Sequence, residues 1–263
     1  MRGRSTVALG LGFAVLVTLA ATLSLTLAMS LLGHAWPVAN RHLAAAAVVE
    51  VVVYMAFAAA LLPLAEARAL HWFSRPQTRS ALSAAALGVL VHGPADFVEA
   101  WVQRVAPLPA GTLEMLALRL RPDSVWERAI LFALVAGLIP VVEEIFFRGA
   151  LFARLKGPVG ENLTVLVTSL CFTVSHGEPR SWPALLCVAL VLGVVRKPLA
   201  SLWPCILIHA TFNATTLVVV FLSSRGALLE APEPSLFAAI SGTTASALFL
   251  YLLLRNARAG TPA

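Results

Sequence analysis

AILFALVAGLIPVVEEIFFRGALFARL, residues 129–155, decides the fold. Its only charged residues are Glu143, Glu144, Arg148 and Arg154. At about 1.5 Å of rise per residue the run exceeds the ~30 Å hydrocarbon core of a bilayer. Two adjacent carboxylates and a guanidinium at membrane depth are costly unless they face a protein interior or a wet cavity. The stretch therefore implies a helix packed among other helices around a polar centre. Pro140 cannot donate to the carbonyl of Ala136, so the helix should kink or loosen one turn before the glutamates and leave an acceptor free near them. Glu144 and Arg148, spaced i,i+4, can pair on one face, while Glu143 is rotated by about 100° from Glu144.

The rest of the chain fits that setting. Of its 263 residues 59% are hydrophobic and 12% charged, and the mean hydropathy is +0.87, which describes an integral membrane protein. Seven further apolar runs occur at Thr6–Leu32, Leu43–Leu64, Ala81–Val102, Leu163–Val174, Pro183–Val195, Leu199–Leu222 and Ser235–Leu254. The first follows Arg2 and Arg4 as a secretory signal would, but it exceeds the roughly 7–15 apolar residues of one and reads as a retained helix. The fold class expected is all-α: a polytopic transmembrane bundle of about eight helices, with no second soluble domain. Leu163–Val174 and Pro183–Val195 are short for full spans, so either is expected to be tilted, broken or buried in the bundle. Three parts are expected: N-terminal helices and loops over 1–125, a catalytic core over 126–222, and a last helix and tail over 223–263.

The net charge of +6 does not point to nucleic acid, because the basic residues are scattered through short connections rather than gathered on a face. They bear on orientation instead. With the N-terminus cytoplasmic and every run crossing, the inside connections hold Arg2, Arg4, Arg68, Arg75, Arg79, Arg154, Lys156, Arg196, Lys197, Arg255 and Arg258. Seven lie outside, four of them (Arg104, Arg119, Arg121 and Arg128) around the long third connection. Both termini are expected inside. Cys171, Cys187 and Cys205 show neither metal-like nor disulfide-like spacing and read as core residues. The alternative is Cys205 as a nucleophile one turn before His209.

Two more polar blocks interrupt apolar runs: Phe172-Thr-Val-Ser-His176 and His209-Ala-Thr-Phe-Asn213. His176 precedes Gly177 and Pro179, so it should lie at a helix end with Phe172 one turn below. Alone it reads as an interfacial residue. His209 and Asn213 share a helix face at i,i+4, where they suit either interhelical hydrogen bonding or a catalytic pair.

In this order and at these spacings the three blocks resemble the CPBP family of intramembrane proteases, which joins CAAX-prenyl proteases with bacteriocin-processing, Abi-like enzymes. The resemblance spans roughly Ile130 to Val220, and its Glu-Glu-x-x-x-Arg, Phe-x-x-x-His and His-x-x-x-Asn motifs are complete. It implies that Glu143 activates a water, His176 holds and polarises that water, His209 and Asn213 bind the oxyanion, and Glu144 and Arg148 support the pair. Peptide hydrolysis needs these parts: an activated water, a stabilised oxyanion and a proton for the departing amine. The implied substrate is a membrane-associated protein or peptide, and no cofactor is expected. A zinc enzyme using the same Glu and His set is the alternative mechanism, although no His-Glu-x-x-His block is present. A non-enzymatic bacteriocin-immunity or scaffold protein is the alternative of a different class. The alanine, leucine, valine and arginine bias suggests a bacterial inner membrane, where a prenylated substrate is less expected. Glu50, His92, Asp96 and Glu99 match no motif and are expected either to line the approach to the cavity or to pair among themselves.

Overall fold

Eight helices and no strand occur among the residues that the computed structural model describes, which are 2–37, 42–64, 72–74, 78–109, 111–112, 122, 124–223 and 235–259. They are α1 (Arg2–Ala35), α2 (Leu43–Leu61), α3 (Thr78–Val105, interrupted at Val91), α4 (Val125–Val159), α5 (Glu161–Ser175), α6 (Trp182–Arg196), α7 (Trp203–Leu222) and α8 (Leu236–Ala259). All except α5 and α6 are long and apolar enough to cross a membrane. The protein is an integral, multi-pass membrane protein, as its composition requires. At 15 residues each, α5 and α6 are about 22 Å long and fall short of the hydrocarbon thickness.

Local chemistry explains most boundaries. Pro63 ends α2 in a single 3-10 turn, Leu62–Leu64. Ser124 caps α4 by accepting from the Glu127 N–H at 3.4 Å, the first half of a Ser-x-x-Glu capping box. The seventh run reads as helical from Leu199, but α7 begins at Trp203 with Pro204 in its first turn. The Trp203 N–H bonds the Ser201 hydroxyl instead, and proline's fixed φ suits the start of a helix. Arg41, Arg68, Arg75, Arg119, Arg121 and Arg225 lie outside the described residues.

Of the kink or loosening expected at Pro140, the structure shows the loosening. The helix loosens into a π-helical segment at Ala133–Leu138, and a second follows the glutamates at Ile145–Leu151. The Ile139 N–H bonds Leu134 O, five residues back. In that register the carbonyl facing the missing N–H of Pro140 is Val135, not Ala136. The free acceptor thus lies one residue earlier than an α-helical register predicts.

α4 packs against α1, α2, α5, α6 and α7. α1 lies against α2, α5 and the end of α4, while α3 packs on α7 and α8 and, through its second half, on α6. Gly88 permits the closest approach of α3 to α7: a Cβ there would collide with the Thr211 hydroxyl and the Ile208 carbonyl. Any larger residue would push away the helix that carries His209 and Asn213. Tyr54, Phe146, Phe147, Leu151 and Phe172 form one buried apolar cluster, and Leu87, Val188, Leu192, Ile208 and Leu253 another. On α1, Leu9, Leu16, Leu23, Leu27 and Leu31 point outward, the face a spanning helix gives to lipid.

Candidate active site

The three polar blocks converge where α4, α5 and α7 meet. Glu143 is 1% exposed, Glu144 and Arg148 0%, and His209 4%. Burial of this degree demands partners. Arg148 has three: Nη1 meets Glu144 Oε1 at 3.1 Å, Nη2 donates to Ala189 O at 3.1 Å, and the guanidinium lies 4.4 Å from the centre of the Phe172 ring. The i,i+4 pairing read from the sequence is present, and α6 completes it with a carbonyl.

His209 reaches both glutamates. Its Nδ1 lies 3.0 Å from Glu144 Oε1, and its Nε2 lies 3.6 Å from Glu143 Oε2. The first is a hydrogen bond, and Nδ1–H must be its donor because a carboxylate oxygen accepts. The second is longer than a hydrogen bond, so Nε2 remains available.

His176 caps the end of α5, followed by Gly177 at φ +73°, a left-handed conformation that glycine adopts without a Cβ penalty. That turn folds the imidazole back over its own helix, where Nδ1 donates to Phe172 O at 2.8 Å. Neutral imidazole then carries its acceptor lone pair on Nε2. Phe172 forms the wall common to the site, 4.7 Å from the His176 ring, 5.6 Å from the His209 ring and beneath Arg148. Its aromatic face explains why this block begins with phenylalanine. One turn beyond His209, the Asn213 side-chain amide donates to Val135 O at 2.9 Å. It thus occupies the carbonyl orphaned by Pro140 and keeps a second N–H.

A cavity of about 340 Å³ opens at this centre. Glu143, His176, His209 and Asn213 line it together with apolar residues such as Val188, Phe212 and Leu217. Glu144 and Arg148 are not among the lining residues and lie behind them.

Of the four polar residues that match no motif, one lines the cavity. Glu50, from α2, borders the cavity together with Glu143. The available signal was weak: a lone acid in the otherwise apolar run Leu43–Leu61. The other three unassigned polar residues do not reach the cavity. His92 pairs with Asp96 at 3.2 Å, donates from Nε2 to Phe212 O at 3.0 Å and stacks on the Phe212 ring, and Glu99 accepts from Gln103. Cys205 is buried and bonded to Leu192 O at 3.5 Å, while His209 is taken up by the glutamates. A thiol–imidazole couple is therefore not formed.

A membrane-embedded helical bundle enclosing a carboxylate, imidazole and amide pocket defines the class: a polytopic membrane protein with hydrolase-type side chains at its centre. Residues 124–215 match the family model described as type II CAAX prenyl endopeptidase Rce1-like, so this segment is similar to the CAAX-protease, or CPBP, family of membrane proteases. No curated protein and no solved structure matches the chain.

Proposed function

We propose that the protein is an intramembrane endopeptidase that hydrolyses a peptide bond of a membrane-associated protein or peptide with a water activated by Glu143. The observation that carries this reading is the shared cavity, onto which Glu143, His176, His209 and Asn213 all open. Its ~340 Å³ exceeds by far the ~30 Å³ of a single water and accommodates a peptide bond with a neighbouring side chain.

The chemistry follows from the donor and acceptor inventory. The Glu143 carboxylate takes a proton from water as the water oxygen attacks the scissile carbonyl. His176 Nε2, left as an acceptor by the Nδ1–H bond to Phe172, helps to hold and orient that water. Negative charge then develops on the carbonyl oxygen, and two donors remain to receive it: the uncommitted Asn213 N–H and, when protonated, His209 Nε2. Glu144 holds the opposite side of the His209 ring, and Arg148 holds Glu144. The proton on Glu143 finally passes to the departing amine. No metal is required in this scheme. The setting proposed is a bacterial inner membrane.

The test uses protein reconstituted in liposomes with two fluorescence-quenched reporters. One is a peptide bearing S-farnesylcysteine three residues from its C-terminus, the target that a CAAX enzyme reads, and the other an unmodified apolar transmembrane peptide. Cleavage of either should vanish in Glu143→Gln while the protein still accumulates and inserts. Turnover should persist after exhaustive chelation, with no stoichiometric zinc by elemental analysis. Near-normal turnover by Glu143→Gln would overturn the assignment. Activity that returned only with zinc would replace the mechanism by its metal-dependent alternative.

A further inference from the structure

Glu50 is the only charged residue in the 19 residues of α2, and α2 carries no part of the three motifs. An acid in a spanning helix needs a partner or water. Glu50 faces the same cavity as Glu143. Among the described residues, no protein N–H or O–H donor reaches Glu143 Oε1, and a second carboxyl, Glu50, borders the same cavity. Two carboxyls in one poorly hydrated cavity do not readily ionise together, so the pair is suited to hold one proton.

We propose that Glu50 and Glu143 act as a carboxyl dyad holding one proton between them, with Glu50 the second catalytic acid of the site. This rests on the reading of Glu143 as the water-activating base. In the resting pair the Glu50 O–H donates to the Glu143 carboxylate. As water attacks, its O–H bond breaks, its oxygen bonds the scissile carbon, and its proton goes to Glu143, so that both carboxyls are protonated and the former carbonyl oxygen bears the negative charge. When the C–N bond breaks, the dyad gives one proton to the departing nitrogen. The electron pair on the oxyanion returns to form the carbonyl of the product acid, and the dyad is left with one proton as before. Other groups surround the pair. His209 approaches Glu143 from α7, with Asn213 one turn further along. His176 lines the cavity from the end of α5. Tyr54, one turn beyond Glu50 on α2, is packed against the Phe146 and Phe147 rings. Arg148 and Glu144 stand behind Glu143 on α4.

The dyad predicts a bell-shaped pH profile, because activity requires the singly protonated pair and is lost when both acids or neither carries a proton. In the liposome assay, Glu50→Gln should lower kcat by about 10²-fold with KM changed less than about threefold. The alkaline limb due to loss of the shared proton should disappear, since an amide cannot lose it. Glu50→Asp, which keeps the acid, should retain both limbs and recover part of kcat. Both histidines are present in every variant, so their ionisations cancel in the comparison. Glu50→Gln with wild-type kcat and pH profile overturns the dyad. Inactive Glu143→Gln beside a wild-type-like Glu50→Gln would remove the dyad alone; active Glu143→Gln would remove the reading beneath it.

Discussion

Replacing Arg148 by methionine removes the guanidinium that pairs with Glu144 behind the cavity. Met replaces the aliphatic stem but not the guanidinium, so charge, hydrogen bonding and the contact of the guanidinium with Phe172 are lost. Breaking a fully buried pair by deleting one partner typically costs about 3–5 kcal/mol, because the remaining charge is left without its counterion. The other losses are smaller. Ala189 O still accepts from the Ser169 hydroxyl at 2.9 Å, so no carbonyl is orphaned, and the contact with Phe172 is worth about 0.5–2 kcal/mol. Arg148→Met should therefore destabilise by about 3–5 kcal/mol.

Glu144→Gln in the Arg148→Met background should recover roughly half of that loss or more. With both charges gone, little penalty remains, and the oxygen of the introduced amide can still accept the His209 Nδ1–H that Glu144 now accepts at 3.0 Å. Unfolding can be followed in detergent by maleimide labelling of Cys205, which is fully buried one turn before His209. Half-buried Cys187 sets the native baseline, and Cys187→Ser removes it where needed. Additive losses in the two single and the double variant, within about 0.5 kcal/mol, would refute the view that Glu144 and Arg148 form one coupled unit.

Asn213→Ala should lower kcat by about 10²–10³-fold with little change in KM, because an oxyanion donor acts on charge present only in the transition state. With His209→Ala added, the combined loss should fall well short of the product of the two single losses; multiplicative losses or a pure KM defect would assign the pair to packing or substrate binding. For orientation, a C-terminal fusion to an enzyme active only outside the cytoplasm should be silent. Strong activity there would mean that one of the two short helices, α5 or α6, does not cross.

The helices were legible because apolar run length and proline and glycine punctuation act locally. All eight runs are present, displaced by a few residues where a cap or proline fixes the end: Ser124 draws α4 upstream, and Pro204 delays α7. The meeting of Glu143 with His209, and of Arg148 with Ala189, depends on helix packing across 66 and 41 positions of chain, which periodicity does not encode. Family resemblance brought those blocks together; physics of the sequence alone left them on three separate helices. Glu50 marks the boundary of that resemblance. It lies on a helix outside the matched segment, and a single acid in an alanine- and valine-rich run says that a partner exists without saying which.

Pro140 shows how one residue positions the site through a change of register. An α-helix interrupted by proline loses one hydrogen bond and usually bends. Here the preceding turn widens into a π segment, which shifts the orphaned carbonyl from Ala136 to Val135, and Asn213 supplies the missing donor from α7. The motif helix is thereby tied to the helix carrying the third motif by a bond that exists only because a backbone donor is absent. The tie leaves one Asn213 N–H free and fixes the direction of the amide before substrate arrives, which is the preorganisation that makes an oxyanion donor effective. It also means that Pro140→Ala restores a competing N–H and should free Asn213 to rotate. The variant should lose turnover while its KM and the Arg148–Glu144 coupling stay as they were, and an unchanged kcat would show that the amide is held by something other than Val135.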